Sequence, residues 1–203
     1  MIGVVVGIMI STVLYVAVGP PGGVNNRPSA TFLNNNNAEL TGFAYKVLGY
    51  INTGDYQALS QVAHPEYGVV FSPYATVSLT KNKCFQTDQI AAFGSDQTVY
   101  IWGVQDGIGE PIEMTAASYF SEYILDRDYI NASVIGVNRI VKSGNALENI
   151  TEEFPDIRFI DFHIPGGDKD STEDLCWSSL RLGFEEYDGK LWLTLILNSK
   201  WTV

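Results

Sequence analysis

Residues 177–201 read WSSLRLGFEEYDGKLWLTLILNSKW, which is the pattern of two long β-strands joined by a tight turn. The dipeptide Asp188-Gly189 is the strongest short-range signal for a β-hairpin, because both residues tolerate the positive φ angles of a two-residue turn. Before the turn, apolar side chains occupy every second position. After it, leucines alternate with other large side chains, which predicts a strand buried on both faces. The chain therefore ends in an antiparallel hairpin at the core of a sheet.

The segment upstream of the sheet predicts two helices. One apolar stripe at helical spacing consists of Leu40, Phe43, Ala44, Val47, Leu48 and Ile51. Gly54 is suited to end that helix, and Asp55 is suited to cap a second, shorter one. Helices followed by an antiparallel meander indicate the α+β class. We predict N-terminal helices packed on a curved antiparallel sheet, with a single transmembrane helix preceding this domain.

The order of these elements resembles the NTF2-like (cystatin-like) fold, in which helices and a curved sheet form a cone with an open end. The chain is also similar to a family of exported bacterial proteins and lipoproteins of unknown function. The segments that carry this second resemblance are 64–74 (HPEYGVVFSPY), 102–115 (WGVQDGIGEPIEMT), 126–138 (DRDYINASVIGVN), 179–187 (SLRLGFEEY) and the final WTV. The resemblance implies an extracytoplasmic location and supplies no catalytic residues. The chain lacks the cysteine that anchors the lipoprotein members.

The N-terminal segment, residues 1–19, reads MIGVVVGIMISTVLYVAVG and contains no charged side chain. As a helix it would span about 28 Å, close to the roughly 30 Å of a bilayer core. We interpret it as a transmembrane anchor, with a cleaved signal peptide and a core element of the domain as alternatives. Residues 20–37 are rich in Gly, Pro and Asn, which predicts a flexible linker. The folded domain is then residues 38–203.

The charge balance restricts the partners of the chain. Its 203 residues include 12 Lys and Arg and 23 Asp and Glu, so the formal net charge is −11. Phosphate recognition needs clustered cations, so nucleic acid is excluded as a partner. The hydrophobic share of 46% excludes a disordered chain. No nucleotide-binding or nucleophile motif is present, and we expect no cofactor.

A ligand pocket at the open end of the predicted cone is the main site hypothesis. Aromatic side chains with a few polar groups are the usual composition of such pockets. An arginine within an alternating apolar strand either anchors a ligand, points to solvent or pairs with a buried acid such as Asp161 or Glu185. The candidate ligand-binding residues are Tyr74, Trp102, Tyr119, Arg139, Trp177, Arg181 and Trp201.

The acidic segment DKDSTED is the candidate metal loop. Oxygen-bearing side chains take the first, third, fifth and seventh positions of a calcium loop; they are Asp168, Asp170, Thr172 and Asp174. Glu173 stands where the calcium loop requires Gly, and Ser179 stands where it requires Glu. We therefore expect a solvated acidic loop without a metal ion.

Two further pairs deserve a structural test. Asp161 and His163 lie two residues apart on a predicted strand, so they share a face and have the composition of a general base with its orienting carboxylate. We nevertheless assign no catalytic residue. Cys84 and Cys176 are candidates for one disulfide on the oxidising side of a membrane.

The sequence favours a membrane-anchored, extracytoplasmic module that binds a small molecule or a protein partner and is not an enzyme. One alternative is a structural subunit of an envelope secretion or conjugation complex. The other is a small-molecule enzyme of the isomerase or dehydratase type.

Overall fold

The computed structural model describes residues 30–167 and 172–201, which form an α+β fold. The helices are α1 (Ala30–Thr53), α2 (Tyr56–Ser60), α3 (Thr87–Ala92), α4 (Ala116–Tyr119) and α5 (Ile150–Glu153). The strands are β1 (Val69–Ser72), β2 (Lys83–Phe85), β3 (Tyr100–Val104), β4 (Pro111–Met114), β5 (Val134–Val137), β6 (Arg158–Ile164), β7 (Ser178–Tyr187) and β8 (Lys190–Lys200). A π-helical turn (Phe120–Ile124) continues α4, and 3-10 turns lie at Tyr129–Asn131 and Thr172–Cys176.

The terminal hairpin forms as the sequence predicts. Asp188 and Gly189 have φ angles of 52° and 69°, and positive φ at both central residues is the requirement of a type I′ turn. The turn sets the register in which Tyr187 lies opposite Lys190. Residues 193–199 of β8 are all buried, so the strand is covered on both faces. The predicted hairpin is confirmed.

The direction of strand β1 overturns the predicted sheet. The six-stranded sheet has the order β2-β1-β8-β7-β6-β5, and β1 runs parallel to β8, with Val70 opposite Leu195. The sheet is therefore mixed, and the antiparallel NTF2-like cone is a wrong prediction. The segment just before β1 already runs alongside β8, where Val62 O accepts a hydrogen bond from Leu193 N at 2.8 Å. Apolar patterning is the same for either strand direction, so it could not reveal this parallel pair.

Only part of the N-terminal prediction falls on the described residues. Within residues 30–167 and 172–201, no helix is both long enough and apolar enough to cross a membrane. Residues 1–19, where the transmembrane helix was placed, lie outside the described residues. Residues 30–37 belong to α1 rather than to a flexible linker. A tertiary contact stabilises this helical start, since Arg158 Nη2 donates to Asn36 O at 2.7 Å.

Helix α1 covers one face of the sheet through its predicted apolar stripe. Leu40, Ala44 and Val47 are completely buried, and the ring of Tyr45 meets that of Phe162 on β6 edge-on, with centroids 5.2 Å apart. Aromatic side chains extend this core beneath β1, β2 and the separate β3–β4 ribbon; they include Phe71, Phe85, Phe93, Trp102, Tyr119 and Phe120. The helices and the β3–β4 ribbon therefore pack on the same face of the six-stranded sheet.

The opposite face is covered by the segment 138–157, which connects β5 to β6 and includes α5. Its Ile157 packs closely over Gly183 of β7, where an added Cβ would collide with the Ile157 side chain. A second, smaller apolar cluster results, consisting of Val70, Val77, Ile150, Ile157, Phe159, Leu195 and Leu197. Buried polar side chains of β6 and β7 lie on this face, beside the apolar cluster.

Candidate functional site

A cavity of about 280 Å³ opens between the loop 73–82 and the end of the β3–β4 ribbon. We call it the ribbon pocket. It is lined by Ser72, Pro73, Tyr74, Thr76, Ser78, Lys81, Asn82, Gly103, Val104, Gln105, Asp106 and Ala146. Its volume is close to the lower end of the range for small-molecule sites, roughly 300–1,000 Å³.

The loop that forms one wall of the ribbon pocket is held by hydrogen bonds. Ser72 Oγ, at the end of β1, donates to the backbone carbonyl of Tyr74 at 2.8 Å. The amide of Asn149, next to α5, pairs with both backbone groups of Val77 at 2.7 and 2.8 Å. Thr76 Oγ1 donates to Leu147 O at 2.9 Å. Because these bonds engage backbone groups, the wall is held in place by contacts within the protein itself.

The ribbon pocket combines apolar walls with a few polar groups. Pro73, Val104 and Ala146 supply apolar surface, and Lys81 is the one cationic side chain among its lining residues. The hydroxyl of Tyr74 accepts a hydrogen bond from the backbone of Asp106 at 3.3 Å, so its own O–H can be donated elsewhere. Such a site can hold a small molecule by shape and apolar contact, with polar groups setting its orientation.

The predicted ligand-binding residues do not converge on one cavity. Of these residues, only Tyr74 lines the ribbon pocket. Trp102 and Tyr119 are buried in the core and stack on each other, with ring centroids 3.8 Å apart. Trp177 is buried on the opposite face of the sheet, whereas Arg139 and Trp201 are exposed. Aromatic residues on strands here mainly fill the core.

Arg181 is held by carboxylates of the protein itself. Its side chain is completely buried, and Nε donates to Asp161 Oδ2 at 3.1 Å. Its terminal nitrogens form a two-point ion pair with Glu148, and Nη2 also donates to Lys142 O at 3.2 Å. The same Asp161 oxygen accepts the backbone N–H of Val141 at 2.9 Å. Arg181 therefore ties the segment 138–157 to the sheet, and pairing with Asp161, one of the predicted alternatives, is what the structure shows.

The Asp161 and His163 side chains do not form a general-base pair. Asp161 directs Oδ2 at Arg181, while His163 Nδ1 lies 2.9 Å from Ser179 Oγ. Burial lowers the pKa of His163, and the cationic groups of Lys142 and Arg181 lower it further against the opposing effect of Asp161. Ser179 and His163 are 0% and 4% exposed, so a substrate would have to displace the covering segment to reach them.

The candidate metal loop is described only in part. Asp168 and Asp170 lie outside the described residues, and Thr172 begins a 3-10 turn. Asp174 forms an ion pair with Lys142 at 2.7 Å. Within residues 30–167 and 172–201, no group of three His, Cys, Asp or Glu side chains is arranged to hold a metal ion.

The two cysteines are free thiols, so the candidate disulfide does not form. Cys84 lies opposite Val70, which pairs with Leu195, and Leu195 pairs in turn with Gly183. Cys176 lies before the start of β7, and the five-residue step from Ser178 to Gly183 alone extends about 16 Å at roughly 3.3 Å per residue. A disulfide requires Cα atoms about 5–6 Å apart. Sequence spacing could not show this separation, because it depends on the order of strands in the sheet.

Several residues of the ribbon pocket were not foreseen from the sequence. Ser72, Thr76, Lys81 and Asn82 are short or flexible polar residues in a segment without periodicity. Residues 106–111 (DGIGEP) have the Gly- and Pro-rich composition of a turn, but this composition does not indicate which segment packs against it. These residues become neighbours only when the ribbon packs against the sheet.

Comparison with known proteins adds no assignment to this geometry. No protein-family model matches the chain, and no curated protein matches it significantly. The similarity to an exported bacterial family stays a prediction. Function is therefore inferred from the α+β fold and the ribbon pocket.

Proposed function

We propose that the protein is a non-enzymatic binding module that holds a small organic ligand in the ribbon pocket. The observation that carries this proposal is the preformed cavity itself, with apolar walls, hydroxyl and amide groups, and Lys81 at one place. Concave, largely apolar sites with a few polar groups are where proteins usually bind small molecules.

A carboxylate on a compact apolar body is the ligand class that fits these groups best. Lys81 can pair with the carboxylate, and the side chains of Ser78 and Asn82 can donate hydrogen bonds to it. Val104 is 55% exposed at the rim and Leu147, next to Thr76, is 65% exposed, so the mouth also offers apolar surface. Such surface stabilises the body of a ligand by removing it from water.

The buried polar groups of β6 and β7 favour binding over catalysis. Asp161, His163 and Ser179 are buried and engage partners within the protein. The ribbon pocket is lined by no histidine, and Asp106, its one acidic lining residue, is exposed. A base of the isomerase or dehydratase type needs to reach its substrate in a water-poor site. The predicted membrane location is not required for this function and stays a prediction.

The test is ligand-observed NMR with benzoate, compared with neutral benzamide, on the full chain. We expect Ala146→Phe, which fills the pocket, to abolish saturation transfer to benzoate, whereas the exposed control Ala38→Phe leaves it intact. Loss of the charge in Lys81→Met should weaken binding about tenfold, with Lys46→Met as the matched control. Equal binding to the wild type and the filled variant would rule out this pocket.

A self-assembling structural subunit is the second candidate function. The outward side chains of the β3–β4 ribbon favour it, because Val99, Ile101 and Ile108 are 61%, 55% and 70% exposed. A two-stranded ribbon also has edges that can pair with the same strand of a second copy. Sedimentation velocity at increasing concentration tests this candidate. Self-association that Ile101→Lys removes would support it, and a monomer throughout would contradict it.

A further inference from the structure

A second cavity, of about 310 Å³, opens on the face of the sheet opposite α1. We call it the sheet pocket. It is lined by Tyr67, Gly68, Val70, Leu79, Cys84, Phe154, Glu185 and Thr194. No residue lines both the sheet pocket and the ribbon pocket, so the two are separate sites.

The backbone of the sheet builds the floor of this cavity. Val70 of β1 and Cys84 of β2 lie directly opposite each other, so their side chains share a face. Between β7 and β8 the register shifts, since Gly183 pairs with Leu195 whereas the next residue of β7 pairs with Leu193. The extra residue is Thr194, which this β-bulge turns towards the cavity. Bulges often redirect a side chain at a binding or active site.

One carboxylate dominates the electrostatics of the sheet pocket. Burial raises the pKa of Glu185 and the charge of Asp156 raises it further, while the Thr194 hydroxyl moderates the rise. The residues lining the cavity include no Lys, Arg or His. Glu185 therefore loses hydration on a largely apolar surface without a counter-ion among those residues. A bound cation would stabilise its ionised form.

The walls around this carboxylate are apolar and aromatic. Val70 lies on the floor, and Leu79 and Phe154 border the cavity from the loop 73–82 and from the end of α5. Tyr67 is anchored by stacking on His64, with ring centroids 4.6 Å apart, and is still 65% exposed. Aromatic and aliphatic surface of this kind accommodates a hydrocarbon body, and aromatic rings also attract ammonium groups.

We propose that the sheet pocket binds a small organic ammonium ion, with Glu185 as counter-ion, Thr194 as a hydrogen-bonding neighbour and the body of the ligand against Val70, Leu79 and Phe154. The net charge of −11 favours attraction of such a cation to the protein. A neutral ligand would displace water from Glu185 without replacing its interactions, and an anion would meet like charge. This site is independent of the function proposed for the ribbon pocket.

Cys84 makes the site directly measurable, because its thiol lines the cavity. The probe is 2-phenylethylammonium, with 2-phenylethanol as its neutral equivalent. In a Cys176→Ser background, the ammonium ion should slow alkylation of Cys84 by N-ethylmaleimide, and the alcohol should not. In a Cys84→Ser background, alkylation of Cys176, which does not line the cavity, should be unaffected. Equal protection by the alcohol, or protection of both thiols, would overturn the proposal.

The role of the carboxylate is tested by calorimetric titration of the same probe. We expect Glu185→Gln to weaken binding about tenfold, because a charged interaction is replaced by a neutral one. Glu186→Gln is the matched control, since Glu186 is exposed on the same strand and does not line the cavity. Cys84→Phe should fill the cavity and abolish binding, whereas Ala146→Phe in the ribbon pocket should leave it unchanged. Unaltered affinity in both Glu185→Gln and Cys84→Phe would exclude the site.

Discussion

Replacing Arg181 by Met should destabilise the fold strongly. Methionine retains most of the apolar stem, so the change mainly removes the charged guanidinium from its site between Asp161 and Glu148. Arg181 and Asp161 are both 0% exposed, and the Glu148 side chain is 13% exposed. Without the arginine, Asp161 Oδ2 retains the N–H of Val141, and Oδ1 accepts no hydrogen bond from the described part of the chain. A buried carboxylate is then left almost uncompensated.

The cost of breaking such a buried pair is about 3–5 kcal/mol. Urea unfolding followed by tryptophan fluorescence can resolve it. With a slope of roughly 2 kcal/mol per molar urea, the midpoint should fall by about 1.5–2.5 M. Arg139→Met is the control, because Arg139 is exposed and should change stability by less than about 0.5 kcal/mol.

A double variant separates a structural role from a ligand-anchoring one. Arg181→Met combined with Asp161→Leu removes both charges, and it should recover much of the stability lost in Arg181→Met. If Arg181→Met cost no more than Arg139→Met, or if the double variant were additively worse, the guanidinium would not be serving the fold. The ion pairs with Asp161 and Glu148 would then need another explanation.

Four further predictions concern individual side chains. The hydroxyl of Tyr119 is buried and unbonded to any described residue, so Tyr119→Phe should be neutral or stabilising by up to about 1 kcal/mol in urea unfolding. By contrast, Tyr129→Phe should cost about 1–3 kcal/mol, because that hydroxyl lies 2.6 Å from both a carboxylate and a serine hydroxyl. Burial lowers the pKa of His163 below its value in the unfolded chain. The contribution of this side chain to the free energy of unfolding is therefore complete above about pH 6.5 and is lost as the pH falls. Unfolding at about pH 7.5 and pH 5 should therefore show a smaller acid loss for His163→Gln than for the wild type; equal losses would contradict this. Cys84 and Cys176 should both react with a thiol reagent in protein never exposed to reductant, and a titre of zero would contradict their separation in the sheet.

One loop, residues 73–82, contributes to the walls of both cavities. The loop 73–82 contributes Lys81 to the ribbon pocket and Leu79 to the sheet pocket. The side-chain amide of Asn149, next to α5, holds this loop through hydrogen bonds to Val77. Helix α5 in turn belongs to the segment 138–157, which Arg181 ties to the sheet. Weakening that attachment should affect both sites, whereas filling one cavity should spare the other.

The local elements of this protein were determined by the sequence. The positive φ angles at Asp188 and Gly189 and the capping bond from Ala58 N to Asp55 Oδ1 involve residues at most a few positions apart. The stripe on α1 likewise follows from helical spacing, and its members are buried or packed against the core. Such features depend on side chains that are neighbours in the chain, so patterns of two, three or four residues predict them.

Only the tertiary structure decided how these elements meet. The parallel pairing of β1 with β8 joins Val70 to Leu195, and Arg181 finds Glu148 across a segment without periodicity. Apolar patterning records which side chains are buried but carries no information about their partners or about strand direction. The ribbon pocket and the sheet pocket arise from such distant pairings, and the bulge at Thr194 depends on the register between two strands. The sequence alone therefore determined the local helices, caps and hairpin turn, whereas the packing of distant segments determined the two pockets.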